Sequence, residues 1–390
     1  MITTAVPNTA DDIIRRAEEI QPHLRESSAR IEEHRRLPGD IVELLRNTGV
    51  FRAAMPRAWD GPELTSIEQT RLIETISYGD VSAGWCSMIG MDSGIYSGFI
   101  DQDAARKLYP VLDLAQSGWI YPQGTAERVD GGYLVSGRWR FGSGATHCDM
   151  LAAGCVVHEG GEPVTDEATG KGEWRVMLAT PDKYQHLDTW YTTGLAGSGS
   201  IDYAVEQLFV PAEHSFSFTE PVRSGPLHDA PDAILRKMAG IPLGLARAAL
   251  DHVRELAADR VDRETGLPWP RDHRVQETIA ELEMELLAAR SAVYTTLERQ
   301  WTALEQGAER GADERVETAL ARYHAFRTSR RIVHRLFDLV GGASVYRKRS
   351  PLDRWLRDAN TMNQHAVAQS SILQLTGNVL LGGRSASPFF

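Results

Sequence analysis

The sequence contains little cysteine and no long apolar run. Cys86, Cys148 and Cys155 are its only cysteines, and none belongs to a CxxC pair. This usage argues against a disulfide framework and favours a reducing compartment. No apolar run approaches the roughly 18 residues that a membrane-spanning helix needs, and the N-terminus lacks the basic and apolar regions of a signal peptide. We therefore expect a cytoplasmic globular protein.

Several enzyme signatures are also missing. The chain has no GxxxxGK[ST], HExxH, GxSxG or strand-linked GxGxxG motif, which argues against P-loop, zinc-protease, hydrolase and dinucleotide-binding classes. Its 12 histidines are scattered without the spacing of metal ligands, so we expect no metal site. A formal net charge of -11 argues against nucleic acid or an anionic membrane as a partner.

The hydrophobic pattern divides the chain into three parts. Helical spacing dominates residues 1–114, and a nearly charge-free stretch at 83–100 predicts a buried helix or one that lines a cavity. Period-two stretches and turn residues dominate 115–217, where Asp130-Gly131-Gly132 signals a hairpin. Residues 218–390 begin with a linker and then carry long helical patterns at about 232–258, 279–297, 313–340 and 358–381, which predict an antiparallel four-helix bundle.

One stretch in the β part stands out as a candidate site. In "WRFGSGATHCD", Gly142 and Gly144 flank Ser143, and Trp119 lies upstream. These residues fit a glycine-rich turn with aromatic core residues. They also fit a flat aromatic ligand, which the glycines would let approach the backbone while the serine hydroxyl bonds a ring nitrogen.

Other candidates each have a structural alternative. Arg263 fits a solvated surface arginine, and Gly341-Gly342 fits a helix cap. His365 lies in a stretch with few charges and fits a packed core histidine, and Asp92, the only charge between Asp80 and Asp101, is either partnered or functional.

Four stretches together resemble the acyl-CoA dehydrogenase fold over nearly the whole chain: "WRFGSGATHCD", "VEQLFVPAE", "VGGASVY" and "PLDRWLRDA". The stretch around Ser143 is most similar to the flavin-dependent monooxygenase branch, the two-component oxygenases that include 4-hydroxyphenylacetate 3-hydroxylases. The resemblance implies an α+β fold with an N-terminal α-helical domain, a middle antiparallel β-barrel and a C-terminal four-helix bundle.

The last helical pattern separates this branch from the dehydrogenases. Dehydrogenases that resemble this chain carry a catalytic glutamate where Ala366 stands, and the monooxygenase branch has a histidine where His365 stands. An acyl-CoA dehydrogenase-type flavoprotein would need a carboxylate base elsewhere. A non-catalytic helical scaffold with a vestigial flavin site is the third interpretation.

The resemblance also implies a cofactor, partners and roles for residues. A separate flavin reductase would supply reduced FMN or FAD, and O2 would form a C4a-hydroperoxide that oxygenates a small aromatic or heteroatom-containing substrate. Ser143, His365 and Asp92 would be catalytic, although relatives have a histidine where Asp92 stands. A homotetramer is implied, with flavin bound by Trp119, Gly142, Ser143, Gly144, Arg263, Gly341 and Gly342.

Overall fold

A computed structural model describes residues 6–165, 170, 172–307, 312–384 and 389. The chain begins with helices whose starts are fixed by side-chain caps. At the start of the first helix the Thr9 side chain accepts a hydrogen bond from the amide of Asp12. At the start of the third, Thr65 forms a reciprocal capping box with Glu68. The helices before the first strand are α1 (Ala10–His34), α2 (Gly39–Arg46), α3 (Ser66–Gly79), α4 (Val81–Gly90), α5 (Asp92–Tyr96) and α6 (Gln102–Leu108).

The strands follow, and they form an open mixed sheet. Their order across the sheet is β6-β7-β2-β1-β3-β5-β8, with β4 paired to β3. All described pairs are antiparallel except β1 with β3, which is parallel. The strands are β1 (Gln116–Val129), β2 (Gly132–Gly142), β3 (Met150–Glu159), β4 (Glu162–Pro163), β5 (Trp174–Ala179), β6 (Gln185–Leu187), β7 (Ile201–Pro211) and β8 (Ser215–Phe216).

The predicted closed antiparallel barrel is therefore wrong. After β2 the chain crosses the end of β1 instead of turning back beside β2, so β3 pairs with the far side of β1. The Asp149 carboxylate holds this crossing, because its Oδ2 accepts the amide of Ala115 at 2.8 Å. Strands β6 and β8 remain at opposite ends of the pairing order, so the sheet stays open.

The C-terminal region contains long helices and one break that the sequence pattern did not predict. The helices are α7 (Ala233–Arg236), α8 (Gly240–Asp259), α9 (His273–Glu305), α10 (Ala312–Val340), α11 (Leu352–Met362) and α12 (Ser371–Leu380). The last pattern, predicted as one helix over 358–381, is divided between α11 and α12. His365 lies in this break with extended backbone angles, and its side chain accepts the amide of Val367 at the start of a short 3₁₀ turn.

The N-terminal and C-terminal helices pack closely against each other. A Cβ at Gly240 of α8 would lie 2.4 Å from the carbonyl oxygen of Thr70 in α3, so the two helices meet where glycine removes the side chain. This contact brings α4 and α8 into one hydrophobic core, with Trp85 and Leu245 among its members. In the part of the chain that the structure describes, no helix is long and apolar enough to cross a membrane.

Candidate active site

The Ser143 loop leaves the sheet through a strained turn. Phe141 has a φ of 62°, in the left-handed region that bulky residues rarely adopt, and Gly144 has a φ of 79°. The Ser143 amide donates to the Phe141 carbonyl at 2.8 Å, and the Gly144 amide donates to the Ser198 carbonyl at 2.9 Å. Gly142 packs so closely on Tyr203 that a Cβ would lie 3.0 Å from its ring. The turn therefore fixes Ser143 between β2 and the loop before β7.

The side chain of Ser143 belongs to a chain of hydrogen bonds that we call the hydroxyl relay: Trp85, Ser143, Ser200 and Ser198. The Trp85 Nε1–H donates to Ser143 Oγ at 3.0 Å. The hydroxyls of Ser143 and Ser200 lie 2.8 Å apart, and those of Ser200 and Ser198 lie 2.7 Å apart. Ser198 Oγ donates to the Leu195 carbonyl at 2.7 Å.

The direction of the relay follows from counting protons. Each hydroxyl has one proton and can accept two hydrogen bonds. Because Ser198 gives its proton to a carbonyl, Ser200 must donate to Ser198, and Ser143 must then donate to Ser200. Trp85 already donates to Ser143. Ser143 Oγ is left with capacity to accept one further hydrogen bond and none to donate.

His365 lies against the relay. Its ring meets the Trp85 ring edge to face, with centroids 5.5 Å apart. Burial, aided by the charge of Arg322, lowers the pKa of His365 to about 4, so the imidazole is neutral at pH 7. Nδ1 accepts the Val367 amide at 3.4 Å, which places the proton on Nε2. The His365 residue is partly exposed in the chain.

An aromatic surface lies on the sheet beside Ser143. The ring of Trp119 lies 5.7 Å from that of Phe141 and 6.1 Å from that of Tyr121, and Phe141 is 48% exposed. The Trp119 backbone is anchored, because its amide donates to Tyr203 Oη at 2.7 Å. Its indole Nε1 is buried and has no partner among the described residues. The surface thus offers flat rings, and one of them carries a buried N–H donor without a described partner.

Asp92 has a charged partner, which is one of the two alternatives that the sequence left open. Its Oδ1 accepts a hydrogen bond from Lys237 Nζ at 2.5 Å, and both side chains are buried. Burial raises the pKa of Asp92, while the Lys237 ammonium opposes that shift. We call the group to which this pair belongs the buried charge cluster, which consists of Asp92, Asp232, Arg236, Lys237 and Arg322.

The remaining predicted flavin contacts lie at a separate place. Arg263 is exposed in the turn after α8, and Gly341 and Gly342 follow α10 on the surface. The neighbouring Arg260 links the two segments, since its Nη2 donates to the Val340 carbonyl at 2.8 Å. The structure therefore places the segment of Arg263 next to that of Gly341 and Gly342. Within the described chain, no hydrogen bond connects these three residues with the hydroxyl relay.

A cavity of about 640 Å³ borders the other side of the Ser143 loop. Arg36, Arg46, Thr146 and His147 are among its lining residues. Thr146 Oγ1 and His147 Nδ1 are buried without a partner in the described part of the chain, and burial lowers the pKa of His147 to about 4. Polar atoms without partners beside a cavity indicate a place where a polar ligand group or water can bind.

Sequence reasoning gave no site role to several of these residues. Ser198 and Ser200 lie in a glycine-rich stretch that was interpreted as a plain loop, and Trp85 lies in the charge-free stretch that predicted a buried or cavity-lining helix. Lys237 and Arg322 lie in ordinary amphipathic helical sequence, so no local signal marks them. Among the described residues, no group of three or more histidine, cysteine, aspartate or glutamate side chains is placed to hold a metal ion.

Comparison with known proteins gives family matches at both ends of the chain. Residues 11–106 match the family described as "Acyl-CoA dehydrogenase, N-terminal domain", and residues 237–370 match "Acyl-CoA dehydrogenase, C-terminal domain". An indole-3-acetate monooxygenase of Acinetobacter baumannii is 31% identical over 351 residues, which cover 89% of this chain and 88% of that one.

Two further relatives extend the comparison. The HsaA oxygenase subunit of a flavin-dependent monooxygenase from Rhodococcus jostii is 26% identical over 374 residues, with 91% of this chain and 94% of that one covered. The crystal structure of XiaF from Streptomyces sp., in complex with FADH2 and glycerol, superimposes with a TM-score of 0.89 at 21% identity and covers 98% of each chain. This last similarity shows the fold.

Proposed function

The chain belongs to the flavin-dependent monooxygenase branch of the acyl-CoA dehydrogenase family, and from this premise we propose that it oxygenates a small aromatic substrate held between Ser143 and His365. The acyl-CoA dehydrogenase-like fold and the monooxygenase function predicted from the sequence are both confirmed. One observation carries the proposal: the hydroxyl relay ends in an oxygen that can only accept, and a neutral histidine packs against Trp85, the residue that donates to that oxygen.

The residues around Ser143 fit a reduced flavin, either FMN or FAD. When bound, reduced flavin would react with O2 and supply one oxygen atom to the substrate, the other leaving as water. The exposed ring of Phe141 and the partly exposed rings of Trp119 and Tyr121 offer a flat surface for the isoalloxazine. The unpaired Trp119 Nε1–H suits an acceptor atom of the ring, such as a carbonyl oxygen or nitrogen.

The relay also favours one oxidation state of the flavin. Reduced flavin has an N–H at N5, whereas oxidised flavin has a bare acceptor nitrogen there. Ser143 Oγ has only acceptor capacity left, so it can accept a hydrogen bond from the N5–H of reduced flavin. In oxidised flavin N5 is itself an acceptor, so the two atoms would face each other with lone pairs and no proton between them. We therefore infer that Ser143 selects reduced flavin, which a separate reductase would deliver. Ser143 is the proposed catalytic contact at N5.

His365 and Asp92 have different proposed roles. The neutral imidazole of His365 presents Nε2–H, which can donate to a substrate oxygen and hold it near the flavin. Asp92 holds the Lys237 ammonium on the charged side of the site. We propose that Asp92 acts through this ion pair, in contrast to relatives that place a histidine at the equivalent position.

Assembly completes the proposal. We propose a homotetramer in which Arg263, Gly341 and Gly342 contact the flavin tail of a neighbouring subunit. The reason is exposed apolar surface on α9 and α12, including Met284, Leu287 and Leu380. We keep the division 1–114, 115–217 and 218–390 as proposed domains, with the C-terminal helices as the bundle through which subunits associate. Sedimentation of an active monomer would contradict this assembly.

The test of function uses chemically reduced flavin, so that no reductase is needed. Protein, reduced FMN or FAD, isotopically labelled O2 and a panel of small aromatic substrates are mixed, and products are analysed by mass spectrometry. We expect one labelled oxygen per product molecule, with less hydrogen peroxide than in a protein-free control. Absence of labelled product, combined with anaerobic reduction of bound flavin by an acyl-CoA, would overturn the proposal in favour of a dehydrogenase.

A further inference from the structure

Arg322 is a buried arginine without a hydrogen-bond partner among the described residues. It lies on α10, it is 1% exposed, and its Nε, Nη1 and Nη2 have no hydrogen-bond partner among the described residues. A guanidinium carries five N–H donors and remains charged in proteins. Leaving such a group buried and unpaired is strongly destabilising. Its retention therefore requires an explanation beyond packing.

The neighbouring carboxylates are already engaged. Asp92 Oδ1 accepts from Lys237 at 2.5 Å. Asp232 accepts from Arg236 through Oδ1 and from the Gln300 amide through Oδ2, both at 2.7 Å.

The buried charge cluster thus contains one more cation than it contains carboxylates. Arg315 also influences the pKa of Asp232, and its charge is positive as well. An anion from outside the chain would balance the excess.

Arg322 lies next to the proposed site. Its positive charge lowers the pKa of His365, and burial lowers its own pKa to about 10, with Asp232 opposing that shift. His365 contacts Trp85, which donates to Ser143. The segment that carries His365 is also tied to α10 near Arg322, because Asn363 Nδ2 donates to the Phe326 carbonyl at 3.1 Å, one turn along that helix from Arg322.

Tyr121 belongs to a cluster of aromatic rings. Tyr121 influences the pKa of Arg322 and packs against other rings, with centroids 5.6 Å from Phe389 and 6.2 Å from Trp174. A ligand that reaches Arg322 from the flavin side would thus meet aromatic surface along its length and a cation at its end. The chemistry that satisfies both is an aromatic ring with an anionic substituent.

We propose that Arg322 binds the carboxylate of an aromatic acid and so sets both the substrate class and the position of the ring against His365. The proposal rests on the proposed function, because it places the ring of the acid in the same site. A carboxylate matches the planar fork of a guanidinium with two parallel hydrogen bonds, which fixes orientation as well as affinity. The A. baumannii relative is named for an acid of this kind, indole-3-acetate.

The experiment compares acids with their uncharged amides. Binding of indole-3-acetate, phenylacetate and benzoate, and of the three corresponding amides, is titrated with the whole protein, without flavin and with reduced flavin under anaerobic conditions. We expect at least one acid to bind about 30-fold or more tightly than its amide, in line with the loss seen when one partner of a buried charge pair is removed. Arg322→Met should abolish that preference and leave amide affinity within about threefold.

A second measurement separates ligand binding from a structural role. Removing an unpaired buried charge should raise the melting temperature of the ligand-free protein, and the preferred acid should stabilise the parent but not Arg322→Met. Arg327→Met, which changes an exposed arginine on the same helix, is the matched control and should alter neither property.

Each other outcome has a defined meaning. A lower melting temperature for Arg322→Met with unchanged acid-to-amide ratios would assign Arg322 a structural role and overturn the proposal, as would the absence of any Arg322-dependent preference across the three pairs. Arg322-dependent acid binding without labelled oxygen in any product would support this inference and overturn the proposed function. If aromatic substrates were oxygenated and Arg322→Met left that oxygenation unchanged, the proposed function would be supported and this inference would be overturned.

Discussion

The two sides of His365 differ in how their polar groups are satisfied. On one side the hydroxyl relay is uncharged, and each of its protons has an acceptor within the chain. On the other side the buried charge cluster pairs Asp92 with Lys237 and Asp232 with Arg236, and Arg322 has no hydrogen-bond partner in the described part of the chain. The first side is complete and offers one acceptor oxygen, whereas the second is incomplete and offers a cation.

This difference assigns different tasks to the two sides. A complete network holds its atoms in place before any ligand arrives, which suits the recognition of one N–H on a flavin ring. An unmatched buried cation destabilises the free protein, and an anion that binds to it restores that stability. Such a cation suits selection among substrates. His365 touches the relay through Trp85 and feels the charge of Arg322, so it links cofactor and substrate recognition.

The largest expected effect comes from the residue between the two sides. His365→Asn should lower the rate of product formation by ~10² to 10⁴, because a positioned hydrogen-bonding and proton-transfer group would be lost. Flavin oxidation should continue, so that hydrogen peroxide replaces product. The ratio of peroxide to labelled product measures this. His324→Asn on α10, at an exposed position, is the control, and a His365→Asn protein that keeps the parent ratio would remove His365 from the mechanism.

Sequence reasoning reached the two sides unequally. Ser143, Trp119 and His365 were found because glycine punctuation and family motifs mark their surroundings. Arg322 lies in the run "RYHAFRTSRR", where nothing local separates it from the exposed Arg327; burial alone distinguishes them. A buried unpaired charge is a property of the packed chain, and helical periodicity reports only which face is apolar.

The fold shows the same limit. The helix–sheet–helix order follows from the local spacing of apolar residues, and it agrees with the observed elements. The barrel prediction failed because the parallel pairing of β1 with β3 depends on where the crossing after β2 travels, which no strand pattern encodes. The break at His365 was missed because it contains no glycine or proline, and a side-chain cap performs the interruption.

The next effect concerns the charged side. Lys237→Met would leave Asp92 buried without its cation and should cost about 3 to 5 kcal/mol in the free energy of unfolding while Asp92 stays ionised. Protonation relieves that cost. The pKa of Asp92 is already raised in the folded protein and would rise further without Lys237, so the folded state holds a proton that the unfolded state lacks.

The stability deficit of Lys237→Met relative to the parent should therefore shrink as pH falls from 8 to 5, by at most about 1.4 kcal/mol per pH unit. Urea unfolding at several pH values measures it, and the double variant Asp92→Asn/Lys237→Met should show no such dependence. A deficit below about 1 kcal/mol that did not change between pH 8 and pH 5 would mean that another cation of the cluster takes Lys237's place, so that the cations are interchangeable and the two sides of His365 differ less than proposed.

The smallest effect tests the direction of the relay. Ser200→Ala removes the acceptor to which Ser143 gives its proton, while Trp85 still donates to Ser143. The Ser143 hydroxyl is then free to donate as well as accept, so it can bond N5 of oxidised flavin as readily as N5–H of reduced flavin. Affinity for oxidised flavin should rise by about 1 kcal/mol, roughly fivefold, with little change for reduced flavin.

Ser143→Ala should instead weaken the binding of reduced flavin by a similar factor. Equilibrium titration of both oxidation states, with the reduced form kept anaerobic, gives the six dissociation constants of the parent and the two variants without any turnover. Ser217→Ala is the control, because the Ser217 hydroxyl bonds that of Thr219 and does not belong to the relay. If Ser200→Ala left the preference for reduced flavin intact, the proton order Ser143 to Ser200 to Ser198 would be wrong, and the uncharged side of His365 would not select the oxidation state.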